Sequence, residues 1–369
     1  MEDIFHINIG EFSVKSPIAI ASMAGITDGA YVRDRSEYAG IGIIGGYAID
    51  EETINAARIL SDQGRDEFLP RNVIADIRGQ IELVKQSGTI PAVNLRASNP
   101  DSLVNLVKEL GTGVIYEIDA HCRQKPMIDA GCGEYLLSHP DKLLAYVQSL
   151  KIAGAVVSVK IRAGVAKDDA ELSRLLWKAG ADILHIDLMD LGYTHLKKIR
   201  NVSPVFIIAN NGITSFEKAK EMLSHGADMV SLARQSDQKT LTALYREIYQ
   251  FTNEHGWYNA PKQLCRGGDI RSLAFCCMPV KPCPLLPTLE KYHMVPQEFV
   301  AVKVDAVKGT PLERGENTCF GSLVYCCKDT TPCMFRDTTL QQAGLRRSSY
   351  MNLKRDLSDK ILKHIFHET

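Results

Sequence analysis

Between residues 16 and 251 short apolar runs alternate with stretches that carry helix caps and helical periodicity, and this alternation restricts the fold more than any other feature. The runs fall at residues 16–21, 41–48, 90–95, 114–116, 156–161, 182–186, 204–209 and 226–232. Each is nearly continuous in apolar character, as in a strand covered on both faces. The intervening segments read as helices over 50–60, 100–110, 141–150, 168–179, 215–223 and 239–251. Thr27 or Asp28, Asp50 and Ser215 stand as candidate caps. Eight strands with helices between them predict an α/β fold, a (β/α)8 TIM barrel. An open doubly wound sheet is the alternative, but no G-x-G-x-x-G follows the first strand.

The polar residues favour closure. Asn94, Asp119, Lys160, Arg162, His185 and Asp187 all fall at the carboxyl ends of apolar runs, where barrels place their chemistry. Lys160 and Arg162 are two apart and share one strand face, while Val159 and Ile161 take the other. Two cations in a barrel mouth call for an anion. A reduced flavin is one; a structural ion pair with Asp119 or Asp187 is the plainer reading. Asn211-Gly212 and Ala233-Arg234 close the seventh and eighth strands, whose loops commonly hold phosphate. Residues 113–137 then place Cys122 where a strand becomes a loop. A thiol there can serve as a general acid, or simply as a small buried hydrophobe.

These residues resemble the dihydrouridine synthase family of FMN barrels across roughly residues 14 to 250. Residues 22–28, SMAGITD, are similar to that family's A-P-M-A-G-V-T-D. Residues 117–137 resemble E-I-N-x-G-C-P…A-G-x-G-x-x-L-L, with Cys122 on the catalytic cysteine and Gly131 and Gly133 on the glycines. Residues 159–162 match V-K-I-R, His185 falls on the histidine after the sixth strand, and 209–213 resemble A-N-G-x-I. The resemblance implies FMN, with Lys160 at the flavin pyrimidine and Asn211, Gly212 and Arg234 at the phosphate. Ser22, Met23, Asn94, Asp119, Arg162, His185 and Ala233 complete the implied cofactor contacts. Cys122, Lys160 and His185 are the implied catalytic residues. The chain also departs from the family. Asp119 replaces its asparagine, Arg123 the proline after the cysteine, Asn94 a glutamine, and Asp187 an arginine. These positions meet substrate or flavin, so the substrate need not be uridine in tRNA.

At 369 residues two domains are expected, and the cysteines mark the border. Eight of ten lie between Cys265 and Cys333, so residues 1–255 are read as the barrel and 256–369 as a cysteine-rich domain. The run CCMPVKPC from Cys276 reappears as CCKDTTPC from Cys326. With Cys265 and Cys319 this gives two sets of four, Cys265, Cys276, Cys277, Cys283 and Cys319, Cys326, Cys327, Cys333. Four thiolates suit one iron–sulfur cluster or one zinc ion, and two [4Fe–4S] clusters are the preferred reading because a flavin benefits from a one-electron relay. Neighbouring cysteines point opposite ways, so the sets can share ligands. This module resembles the methanogenesis marker protein domain numbered nine. A basic helix is expected from Leu340 through Lys363, solvated or docking rather than gripping nucleic acid.

Net charge is −1, so no long-range field favours a polyanion. No apolar run approaches the roughly 20 residues of a membrane span. The N-terminus lacks a basic region followed by an apolar core, and a cytoplasmic location with reduced thiols is expected. Three functions compete. The first is an FMN oxidoreductase fed by iron–sulfur clusters, with a protein or small-molecule substrate of methanogenesis and an electron donor such as a ferredoxin. The second is a tRNA-dihydrouridine synthase. The third is a zinc-stapled assembly module without catalysis.

Overall fold

The computed structural model describes residues 4–280, 282–328 and 331–367. Lys281, Asp329 and Thr330 of the cysteine repeat lie outside the described residues. The chain forms two compact units. The first contains His6–Met222 and Ala227–Arg246; the second runs from Glu247 onward and takes in residues 4–5 and Leu223–Gly226.

The first unit opens with an antiparallel hairpin, β1 (Ile7–Ile9) and β2 (Phe12–Val14), which the strand pattern of the sequence did not predict. Eight parallel strands then close into a barrel. They are β3 (Ile18–Ile20), β4 (Ile41–Ala48), β5 (Ile90–Arg96), β6 (Ile115–Ala120), β7 (Val156–Arg162), β8 (Ile183–Asp187), β9 (Phe206–Asn210) and β10 (Met229–Leu232). Each matches one apolar run, and β10 closes the ring by pairing Val230 with Ile18. The register puts Asn94 beside Glu117, Asp119 beside Lys160, and Lys160 beside His185. Polar side chains from neighbouring strands therefore meet in layers at the upper end of the barrel.

Helices cover the outside: α1 (Gly29–Arg33), α2 (Glu51–Asp62), α3 (Val73–Gln86), α4 (Pro100–Leu110), α5 (Lys125–Asp129), α6 (Tyr135–Ser138), α7 (Pro140–Ile152), α8 (Asp169–Lys178), α9 (Gly192–Arg200), α10 (Phe216–Ser224) and α11 (Gln238–His255). Local chemistry sets their starts. Asp28 caps α1, and Asp50 caps α2 in a reciprocal box with Thr53. Asn99 caps α4 with Pro100 in its first turn, and Asp168 caps α8. Helices α3 and α9 lie outside those expected from the sequence. α3 carries Gly79 mid-helix, yet its stripe Ile77, Ile81 and Val84 is buried.

The second unit is helical: α12 (Leu285–Lys291), α13 (Pro296–Val307), α14 (Met334–Gln342) and α15 (Arg347–His367). Its core gathers Trp257, Phe275, Phe299, Leu323 and Tyr350. The single helix expected from Leu340, solvated or docking, is two helices here, and the second is a docked one. Gly344, at φ +65, separates α14 from α15, and α15 buries Tyr350, Met351, Leu357, Ile361 and Ile365. Its basic residues masked an apolar stripe at helical spacing. Among the described residues no helix is long and apolar enough to cross a membrane.

The core role of α15 has a measurable consequence. Ile361→Ala should cost about 2–5 kcal/mol, the usual result of deleting a fully buried aliphatic chain. Lys360→Ala, on the exposed side of the same helix, should stay within about 0.5 kcal/mol. Denaturant melts of the full chain compare the two, and equal effects would return α15 to the solvated reading.

Candidate active site

The lowest polar layer of the barrel centres on Glu117, which is fully buried. Its carboxylate accepts from Asn94 Nδ2 at 2.8 Å, Ser158 Oγ at 3.0 Å and His185 Nδ1 at 2.8 Å. The other His185 nitrogen, Nε2, meets Ser231 Oγ at 2.8 Å, and Asn210 Nδ2 donates to the same hydroxyl at 2.7 Å. Burial works against the Glu117 charge. His185, Lys160 and the Asn94 bond nevertheless hold its carboxyl below the usual range. Burial pushes His185 down, although Glu117 pulls the other way, so the imidazole is neutral at pH 7.

A second layer sits at the strand ends. Arg96 Nε donates to Asp119 Oδ2 at 3.0 Å, and its Nη1 donates to Glu67 Oε2 at 2.7 Å. Asp119 Oδ1 accepts the backbone N–H groups of His121 at 2.9 Å and Cys122 at 3.0 Å, which folds the strand end into a turn. Burial opposes the Asp119 charge, but Arg96, His121 and Lys160 keep the carboxyl below its ordinary value. Lys160 Nζ donates to Ser22 O at 3.3 Å and Ser22 Oγ at 3.0 Å. Among the described residues it makes no ion pair. Arg162 is different. Its Nε lies 2.6 Å from Glu134 Oε1, while Asp187 bonds His121 Nε2 at 2.9 Å. The two same-face cations are thus not equivalent, and the protein neutralises Arg162 with Glu134 rather than Asp119 or Asp187.

Cys122 is 7% exposed. The chain turns back beneath it through Gly133, whose φ is +64; a Cβ there would stand 2.2 Å from the Cys122 carbonyl oxygen. That carbonyl accepts the Glu134 N–H at 2.9 Å. Burial pushes the thiol up; Arg96 opposes this and Asp119 reinforces it, and the net direction is upward. Cys122 is therefore a protonated thiol at neutral pH, a sign the sequence leaves open.

These groups surround one cavity of about 520 Å³ at the barrel mouth. Ser22, Met23, Asn94, Asp119, Cys122, Lys160, Arg162 and Arg234 all line it. His185, Asn211, Gly212 and Ala233 do not reach its wall. His185 lies below with both nitrogens engaged, and Ala233 gives its carbonyl to Tyr31 and Ser236 hydroxyls. Asn211 donates from its amide to the Met189 carbonyl, and Gly212 takes φ +59, where a Cβ would stand 3.7 Å from Lys218 Nζ. Sequence reasoning missed Glu67, Arg96 and Glu134. Arg96 was accessible, being two residues beyond Asn94 on the same strand face. Glu67 lies in a loop and carries no periodic signal.

The cavity fits a flat anionic cofactor. Its volume lies in the range of small-molecule sites. Lys160 is buried and, among the described residues, pairs with no carboxylate. At Gly46 a Cβ would come 2.6 Å from Asn94 Oδ1 and 3.0 Å from Arg96 Nε, so only glycine keeps that wall open.

The second unit holds the remaining thiols. All ten cysteines of the chain are free. Among the described residues no three Cys, His, Asp or Glu side chains stand close enough together to hold a single metal ion. Cys277, Cys319, Cys326, Cys327 and Cys333 do line one cavity of about 110 Å³. This mixes the two sets of four drawn from the sequence, and leaves Cys265, Cys276 and Cys283 outside its wall.

A closed parallel barrel carries at its mouth a buried thiol, a lysine held by Ser22 and an arginine paired with Glu134, in the place where barrel enzymes keep their chemistry. Residues 79–243 match the family model for dihydrouridine synthase. An uncharacterized protein of Methanocaldococcus jannaschii is 31% identical over 227 residues, covering 59% of this chain and 88% of that protein. A second uncharacterized protein of the same organism is 50% identical over 109 residues, covering 30% of this chain and 70% of that one. The tRNA-dihydrouridine synthase B of Pasteurella multocida is 26% identical over 246 residues, covering 62% of this chain and 68% of that protein. The chain belongs to the dihydrouridine synthase family, and it is an FMN-dependent oxidoreductase.

The Glu117 layer sets the response to acid. A carboxyl held low in the fold contributes stability above its unfolded pKa of about 4, lost as pH falls through the folded value. His185 is also held low, so the unfolded state takes its proton first, and stability begins to fall below about pH 6.5. Denaturant midpoints should be level from about pH 7 to about pH 8, decline towards about pH 5, and drop again below about pH 4. Glu117→Ala leaves three buried polar groups without their partner and should cost about 3 kcal/mol or more at pH 7. A variant as stable as wild type would remove Glu117 from this role.

Proposed function

We propose that the barrel reduces a flat, unsaturated carbon–carbon bond, with Cys122 as the proton donor. The observation that carries this reading is a buried, protonated thiol in the same cavity as a lysine that has no carboxylate. When bound, FMN supplies a hydride from N5 to one carbon. Cys122 gives its proton to the other, and Asp119 holds it in place through the two turn amides. Lys160 would hold the flavin's pyrimidine end, Asn94, Ser22 and Met23 would position the ring, and Arg234 would meet the phosphate, whereas Asn211, Gly212 and Ala233 lie outside the cavity wall. His185 is read as a positioning residue, because both its nitrogens are already bonded.

Two-electron turnover needs a donor, and we infer iron–sulfur chemistry in residues 256–369 fed by a protein such as a ferredoxin, in a cytoplasmic compartment that keeps the thiols reduced. Zinc is the alternative metal. The likeness of residues 256–369 to the methanogenesis marker domain supports a protein or small-molecule substrate of methanogenesis. Uridine in tRNA is the second reading, favoured by the bacterial relative's name. Against it stands the Arg96–Asp119 pair. An ionised carboxylate held by arginine offers no donor where the family asparagine has an amide.

Lys160→Ala should lose most of the bound flavin, read from its absorbance after anaerobic purification; full occupancy would sink the Lys160 assignment. Turnover should hold through neutrality and past the ordinary thiol pKa of about 8.5, and fall only at higher pH, because burial pushes the Cys122 thiol up. Cys122→Ala should keep its flavin yet turn over about 10²–10⁴ more slowly. Rapid reoxidation of the dithionite-reduced protein by unmodified tRNA transcripts would replace this reading with the second.

A further inference from the structure

Arg96 has one nitrogen that the protein does not use. The residue ends β5, is 4% exposed, and lines the barrel cavity together with Cys122 and Lys160. Asp119 holds its Nε and Glu67 its Nη1. The third nitrogen, Nη2, makes no hydrogen bond or ion pair among the described residues, and it is not sealed from solvent. Gly46 keeps one side of the fork clear, since a Cβ there would come 3.3 Å from Arg96 Cζ. Among the charged groups round the Cys122 thiol, Arg96 acts on it most strongly, so fork and thiol are close neighbours.

Asp119 spends Oδ1 on two backbone amides and Oδ2 on Arg96, so this wall turns a donor rather than an idle carboxylate towards the cavity. Glu67 is shared with Arg65, whose Nε lies 3.9 Å from its Oε1. Arg65, Arg96 and Lys160 therefore stand against Glu67 and Asp119, which leaves the wall on the positive side. A planar fork held at two nitrogens cannot turn, and the direction of the third is set before any substrate arrives. Donors fixed in this way are the ones that stabilise a charge as it develops. Adding hydride to a carbon–carbon double bond develops such a charge, and a conjugated carbonyl carries it to an oxygen.

We propose that Arg96 is a catalytic residue, its Nη2 donating to the carbonyl oxygen of an α,β-unsaturated ketone or acid that the barrel reduces. The hydride that bound FMN supplies forms its bond to the β-carbon. The double-bond pair shifts to join the α-carbon and the carbonyl carbon, and the carbonyl pair moves onto oxygen as an enolate, which Nη2 holds. That pair returns as the Cys122 S–H bond breaks and the proton joins the α-carbon. The thiolate then takes a proton back from solvent. The substrate gains one hydride and one proton, and the reduced flavin of the established activity is the only reductant the step needs. A uracil ring sets an N–H beside the carbonyl, and the wall keeps no idle acceptor for it. The inference rests on the double-bond reading of the barrel and names the substrate class for it.

The test uses the full chain loaded with flavin. With the flavin oxidised and no turnover, para-nitrophenol serves as the probe, because it is flat and its coloured oxyanion stands in for the enolate. Bound to wild type it should ionise about one pH unit or more below its free value, since a fixed cation favours the anion. Arg96→Met should keep flavin and lose this shift, while Cys122→Ala should retain it. Arg96→Met strips two buried carboxylates of their partner. Should it fail to fold, the uncharged triple variant Arg96→Met, Glu67→Gln, Asp119→Asn takes its place. Turnover is read from reoxidation of the dithionite-reduced protein by cyclohexenone. Wild type should react with it and not with cyclohexene, which lacks the carbonyl, and loss of Arg96 should slow the reaction by about 10²–10³. No shift in wild type, or the same shift without Arg96, overturns the proposal. So does reoxidation by cyclohexene at the cyclohexenone rate. Wild-type reoxidation in Cys122→Ala overturns the thiol's role instead, with the nitrophenol shift still in place.

Discussion

One buried negative charge organises the barrel. Glu117 sits on β6 at the centre of the strand bundle, and its bonds reach β5 through Asn94, β7 through Ser158 and β8 through His185. His185 passes the chain on to Ser231 of β10, and Asn210 of β9 closes on the same hydroxyl. Six adjacent strands are therefore tied by side chains as well as by backbone. An isolated carboxylate at such depth would be too costly to keep charged. It persists because its bonds are satisfied and because Lys160 stands in the layer above. The same charge keeps His185 fixed by its bonds rather than free to shuttle protons.

Above Glu117 the pattern changes from satisfied to poised. Asp119 spends one oxygen on Arg96 and the other on the turn that sets Cys122. Glu67 holds the far side of Arg96. The guanidinium is thereby fixed in the wall of the cavity that also holds the thiol and Lys160. An Asp-for-Asn change alone would put an unpaired carboxylate beside a flavin. With Arg96 and Glu67 present it becomes part of a rigid, charged wall. This departure from the family is a coupled set, and it alters what the cavity presents to a substrate.

The strands and their polar ends were legible because they obey period two and end in residues that an apolar core cannot hold. Asn94, Asp119, Lys160 and Arg162 were found by that rule alone, and Cys122 by its place after a strand. Glu67 and Glu134 were not legible. They come from loops, and only closure of the barrel brings them to Arg96 and Arg162. Helix α15 was misjudged for another reason. Its lysines and arginines suggested a solvated face, while every third or fourth residue, from Tyr350 to Ile365, faces the core. One of those lysines, Lys354, is itself inside.

The treatment of buried cations is the same rule applied with two outcomes. Seven described lysine and arginine side chains are buried: Arg96, Lys160, Arg200, Arg271, Lys303, Arg336 and Lys354. Every arginine among them has a carboxylate, supplied by Glu67 and Asp119, Asp228, Asp269 and Asp337 in turn. None of the three lysines makes an ion pair. The division follows chemistry. A guanidinium is a planar fork suited to a fixed carboxylate, whereas an ammonium is a compact point charge that any anion can approach. Arginine is thus used where the protein supplies the anion, and lysine where the anion comes from elsewhere. In the barrel the flavin is the anion proposed for Lys160. The two lysines of the helical unit are held by backbone carbonyls instead, and burial pushes both down, Lys303 well below the ordinary lysine value and Lys354 to about 8.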